Sequence, residues 1–188
     1  MLSRGRPISV KQDKRTGTTI ASPFSSGGQA LMPVANRRAF MRELSRLVAL
    51  AQRYGTASSV LYIDLNGMKT INDRWGHNAG DAALLHIART LLDNVRHADV
   101  VARLGGDEFG VLLVKTGQEA AEEKAAALSD AIETTPLIWN GLTIHLSAAT
   151  GAYCFQGSEG VAAALEAADR AMYRAKQLRK AAEQAAVG

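Results

Sequence analysis

The sequence predicts an α/β sandwich, a central and mostly antiparallel sheet flanked by helices, and three observations predict it. Apolar residues switch between helical spacing, as in Phe40, Leu44, Leu47, Val48 and Ala51, and short unbroken runs such as Val60-Leu61-Tyr62-Ile63. Two dipeptides with hairpin chemistry, Gly105-Gly106 and Asn140-Gly141, lie between strand-like segments. At 188 residues and 47% hydrophobic content, the chain suffices for one domain with a real core.

Residues 1–28 are rich in Ser, Thr, Gly and basic side chains, lack periodicity and read as a flexible basic tail. Residues 29–188 read as one domain. A helix begins after Asn36 and stops at Gly55. Ser59 to Leu65 reads as a strand buried on both faces, with Asp64 at its end. Lys69 and Asn72 fall in the turn that follows. Asp81 is placed to cap a helix running to Val95, with Leu84, Leu85, Ile87, Ala88, Leu91 and Leu92 as its apolar face. Val100-Val101-Ala102 and Val111-Leu112-Leu113-Val114 form a hairpin around the glycine pair, both glycines being expected at positive φ. Gln118 to Ile132 is a further amphipathic helix. Asn140-Gly141 predicts a type I′ turn into strand-like residues 142–154, and an Ala-rich helix spans about 160–186. The order is α-β-α-β-β-α-β-β-α.

Net charge is +4, which invites a nucleic-acid reading. Yet Arg4, Arg6, Lys11, Lys14 and Arg15 oppose only Asp13 in the tail, leaving 17 basic and 17 acidic residues in a neutral domain. That balance argues against nucleic acid as a partner. The lone Cys154 excludes an intrachain disulfide, and no apolar stretch is long enough to span a bilayer. The tail has no hydrophobic signal-peptide core, so the expected location is the cytoplasm.

The chemistry concentrates in two segments. Asp64 ends an apolar strand, where a sheet presents a carboxylate at its rim. Asp107 and Glu108 follow the glycine pair on a sharp turn, which no core needs. Magnesium takes one or two protein carboxylates and fills its other positions with phosphate oxygens and water. Asp64 and Asp107 on adjacent strand ends would suit it, and Lys69, Lys176 and Lys180 could neutralise a triphosphate. This pattern points to metal-assisted phosphoryl or nucleotidyl transfer.

At these residues the chain resembles the GGDEF-domain family, the diguanylate cyclases. Three blocks carry the resemblance: Asp64-x-x-x-x-Lys69-x-x-Asn72-Asp73-x-x-Gly76-His77-x-x-Gly80-Asp81, then Gly105–Phe109, then Ala168-Asp169-x-Ala171-Met172-Tyr173-x-Ala175-Lys176. The resemblance covers about 31–180 and implies a nucleotidyl-cyclase, palm-like fold. It also implies that two GTP molecules are condensed into cyclic di-GMP and pyrophosphate, one GTP on each protomer of a facing homodimer. On that implication Asp64, the Leu65 carbonyl, Asp107 and Glu108 hold Mg²⁺ (or Mn²⁺). Glu108 either assists the metal or deprotonates the attacking hydroxyl. Gly105 and Gly106 admit the phosphates, which Lys69, Lys176 and Lys180 hold, and Asn72 and Asp81 read the guanine edge. Arg96 and Asp99, six positions before Gly105, match the family's inhibitory product site.

The chain departs from the family where Gln29 to Arg37 replaces the usual Asp-x-Leu-Thr-Gly-Leu-x-Asn-Arg, keeping only leucine, asparagine and arginine. That segment ordinarily joins a sensor to the domain, so control by another protein is an expectation. A non-catalytic receptor or scaffold for cyclic di-GMP is the rival reading. His77 reads as a turn residue, and Trp75, Trp139, Met172 and Cys154 as packing.

Overall fold

The apolar run 58–65 can bury successive residues only if both faces and both edges of its strand are covered, and it forms an interior strand of the sheet. The computed structural model describes residues 32–185, the side chains of 179–180 and 182–185 excepted. In chain order the elements are β1 (Ala35–Asn36), α1 (Arg37–Tyr54), β2 (Ser58–Leu65), α2 (Met68–Trp75), α3 (His77–Asp93), β3 (Val100–Gly105) and β4 (Glu108–Leu113). Then come α4 (Gln118–Thr134), β5 (Leu137–Trp139), β6 (Leu142–Ile144), β7 (Ala148–Phe155) and α5 (Val161–Ala185). The main sheet has strand order β1-β3-β4-β2-β7, and β5-β6 form a separate ribbon. All neighbours in the main sheet are antiparallel except β1 and β3, which pair in parallel.

Alternation along β2 divides its side chains between two layers. Val60 and Tyr62 join Phe40, Leu44, Leu47 and Val48 of α1 and Ala164, Ala168 and Met172 of α5 in one core. Leu61, Ile63 and Leu65 point to the opposite layer and are also buried. The buried stripe of α3 comprises Ala79, Ala83, Leu84, Ile87, Ala88 and Leu91.

Helix ends follow the sequence where it supplies caps. The Asn36 side chain accepts a 2.9 Å bond from the Ala39 amide, and Gly55 closes α1 in the left-handed region. Asn140 and Gly141 have φ of 48° and 79°, as a type I′ turn requires.

The structure corrects several expectations. Lys69 and Asn72 lie on a helix, α2, rather than in a turn, with Met68 and Ile71 buried beneath them. Asp81 does not cap α3, because that helix starts four residues earlier at His77. Leu92 faces outward on α3. Of the glycine pair only Gly106 has positive φ; Gly105 ends β3 after a register shift, so the turn residues are Gly106 and Asp107. Residues 142–154 are two strands in different sheets. The tail at 1–28 lies outside the described residues.

Candidate active site

Each carboxylate is placed by strand register. Asp64 stands opposite Glu108 of β4 on one side and Ala149 of β7 on the other. The preceding row across the same strands is Gly110, Tyr62 and Gly151. With glycines on both flanks, Tyr62 is the one side chain of that row. It is 7% exposed. Burial, followed by the Glu108 charge, pushes its pKa well above the ordinary tyrosine range; Asp169 adds to the rise and Arg37 opposes it.

Lys176 reaches from α5 to the same end of β2. Its Nζ lies 2.5 Å from Asp64 Oδ1, with side chains 29% and 16% exposed respectively. The Leu65 amide donates to the Asp107 carbonyl at 3.1 Å, which ties the end of β2 to the hairpin turn.

On the other layer, α2, α3 and that turn enclose a cleft of about 430 Å³. Lys69, Asn72, Asp81, Gly106 and Asp107 line it, joined by Met68, Asp73, His77, Gly80, Leu84 and Arg103. Arg103 donates from Nε and Nη2 to the Gly106 carbonyl at 3.0 and 2.8 Å, holding the turn. Gly80 lets α3 approach α2 closely, since a Cβ there would lie 2.0 Å from Asn72 Oδ1.

The expected site residues thus fall in two groups. Lys69, Asn72, Asp81, Gly106 and Asp107 share the cleft, while Asp64, Glu108 and Lys176 share the end of the α1/α5 face. Gly105 lies between, its Cα opposite Glu108. The Lys180 side chain lies outside the described residues. Among the described residues no three His, Cys, Asp or Glu side chains cluster as a metal site. Two facing carboxylates, one already holding an ammonium, do suit a hard cation that needs only one or two protein carboxylates. Asp64 and Glu108, with the Leu65 carbonyl next in the chain, fit magnesium.

Arg96 and Asp99 are distant from the cleft. Asp99 precedes β3 and Gly106 follows it, a separation of roughly 20 Å along an extended strand. The Asp99 carboxylate accepts from the Arg96 amide at 3.0 Å and from the Val114 amide at 3.1 Å, while the Arg96 side chain is exposed.

Sequence reasoning missed Arg103 and Tyr62 and assigned His77 to a turn, though it is the first residue of α3 and lines the cleft. Arg103 did carry a signal, a lone cation inside an apolar strand just before the glycines. Tyr62 carried none, because its neighbours are set by register.

A mixed sheet with helices on both faces and carboxylates at the ends of two adjacent interior strands defines a palm-like domain. The family model "Diguanylate cyclase, GGDEF domain" matches residues 30–182, and the chain belongs to that family. Diguanylate cyclase DosC of Escherichia coli K12 is 39% identical over 152 residues, which is 80% of this chain and 33% of that protein. The chain therefore spans about a third of the length of such curated relatives. The crystallised GGDEF domain of YfiN (TpbB) from Pseudomonas aeruginosa superposes with a TM-score of 0.72 at 38% identity, covering 79% of this chain and 93% of that one. Diguanylate cyclase SiaD, solved with its activator SiaC from the same organism, gives 0.75 at 28% identity, covering 81% and 58%. The coiled coil and GGDEF domain of DgcB from Caulobacter crescentus, solved with c-di-GMP, gives 0.73 at 25%, covering 78% of each chain.

Proposed function

We propose that the domain is a diguanylate cyclase, condensing two GTP molecules into cyclic di-GMP with release of two pyrophosphates. The observation that carries this reading is the joining of the cleft to the Asp64–Glu108 row by the Leu65–Asp107 backbone bond. A nucleotide with its base in the cleft would direct its phosphates toward that row. Asn72 and Asp81 read the guanine edge; the carboxylate accepts from guanine N1–H and the amino group, a donor pair adenine lacks. Lys69 and Lys176 neutralise the phosphates. The open backbone at Gly105 and Gly106 admits them, and Lys180 is proposed as a further phosphate contact.

Bound magnesium supplies Lewis-acid polarisation of the α-phosphate and screening of the leaving pyrophosphate. Asp64, Glu108 and the Leu65 carbonyl would hold it, with Asp107 reaching from the turn. The 3′-oxygen of one GTP forms a bond to the α-phosphorus of the other as the bond to pyrophosphate breaks. Glu108 would either assist the metal or take the hydroxyl proton. One cleft takes one GTP, so the chemistry requires two domains face to face, a homodimer at least during turnover. Product held at Arg96 and Asp99 would restrain the enzyme from a second site.

Among the described residues no helix is long and apolar enough to cross a membrane. The proposal places the domain in the cytoplasm, under the control of another protein or segment.

The test is mass spectrometry after incubation with GTP and Mg²⁺, with Asp107→Ala as control. Cyclic di-GMP from the native chain alone is the expected result. Intact GTP at high protein concentration, together with binding of cyclic di-GMP that Arg96→Ala abolishes, would replace the enzyme by a receptor.

A further inference from the structure

Arg46–Glu43 and Arg170–Glu166 join side chains one turn apart on helix surfaces. Lys176–Asp64 differs in kind, bridging 112 residues to pin α5 to the end of β2. Asp64 is largely withdrawn from water, and a carboxylate so placed is costly without a positive partner. In this structure the partner belongs to the chain itself.

We infer that Lys176 is an exchangeable stand-in for the metal, occupying Asp64 until a divalent cation evicts it and then moving to the phosphates that arrive with that cation. The inference rests on the cyclase reading for the identity of the nucleotide, and on geometry alone for the exchange. An ammonium 2.5 Å from Oδ1 takes the position a cation would need, and like charges exclude each other there. Lysine suits the role, being a compact charge on a flexible four-carbon stem with three donors. Metal alone must displace Lys176 without compensation. Nucleotide alone finds Lys176 engaged elsewhere. Together each relieves the other, so metal and nucleotide tighten one another's binding reciprocally.

The test uses the full chain and Mn²⁺ alone, titrated by calorimetry without nucleotide. Lys176→Met, and Lys176→Gln as a second variant, are expected to bind Mn²⁺ about tenfold more tightly than native protein, the part-exposed pair being worth less than a buried one. Arg174→Met removes the same charge from an exposed position on α5 and is expected to change the affinity less than about twofold. A non-hydrolysable GTP analogue should tighten Mn²⁺ binding in native protein more than in either Lys176 variant. The exchange is overturned if the Lys176 variants bind Mn²⁺ no tighter than native, if none of the proteins binds it, or if Arg174→Met matches Lys176→Met. The cyclase reading fails separately: a native chain that shows the exchange yet makes no cyclic di-GMP loses the enzyme and keeps the stand-in.

Discussion

Replacing Gly151 by alanine sets the packing of the main sheet against the position of the site. A Cβ at this residue of β7 would lie 2.0 Å from the Met172 amide nitrogen and 2.6 Å from the Ala168 carbonyl, both backbone atoms of α5. No rotamer relieves such a contact. To restore about 3.4 Å, α5 must retreat by about 1.4 Å. Overpacking of this kind costs about 1–3 kcal/mol, and a backbone clash belongs at the upper end. The entropy that alanine removes from the unfolded strand returns about 0.5–1 kcal/mol. The net loss is about 2 kcal/mol, which for a domain of this size lowers Tm by about 4–8 °C. Lys176 lies one helical turn beyond Met172, so the same retreat carries its ammonium away from Asp64. Thermal unfolding by circular dichroism measures the first effect, and loss of any further destabilisation on adding Lys176→Met measures the second. A Tm within about 1 °C of native would refute the close approach of α5 to β7.

Other substitutions separate stability from binding. Gly80→Ala should leave Tm within a few degrees, since helix propensity favours alanine by about 1 kcal/mol, while displacing the Asn72 carboxamide it meets at 2.0 Å. GTP affinity should then fall about tenfold, and unchanged affinity by calorimetry would remove Asn72 from base recognition. Tyr62→Phe should change stability at neutral pH by no more than about 1 kcal/mol, since only the hydroxyl is lost. It should also flatten the alkaline limb of the stability curve. The Tyr62 pKa is raised in the folded state, so its contribution is full below the unfolded tyrosine value near pH 10 and is lost as pH rises above it. Chemical denaturation between pH 8 and 11 gives both numbers, and parallel curves for the two proteins would contradict the burial that raises the Tyr62 pKa.

Much of this architecture was legible in the sequence. The run at 58–65 and the helical spacing of 40–51 carry enough apolar residues to declare a period. Asn36, Gly55 and Asn140-Gly141 declare their own backbone geometry. What escaped lacked such local signals. Helix α2 has eight residues and two buried positions, too few for periodicity, and glycines at both ends make the segment read as loop. Helix α3 begins after Gly76 with no side-chain cap, so Asp81 looked like the first residue able to start it. The two-residue β1 exists only as a partner of β3. The site divides in the same way. Its residue types could be read from spacing, but the pairing of Lys176 with Asp64 and the placing of Tyr62 near Glu108 are tertiary and follow from register and helix packing. The resemblance named Asp107 and Asp64 together; in the fold a backbone bond from Leu65 to Asp107 ties their segments.

Asp99 joins the two open ends of the β3–β4 hairpin, one oxygen bonded across to Val114 and the other to the Arg96 amide. The closed end of that hairpin is the Gly106–Asp107 turn at the cleft. A ligand that engaged Asp99 together with Arg96, as the proposed product site would require, would compete with the Val114 amide. Such competition would loosen the base of the hairpin, about 20 Å along it from the Asp107 turn.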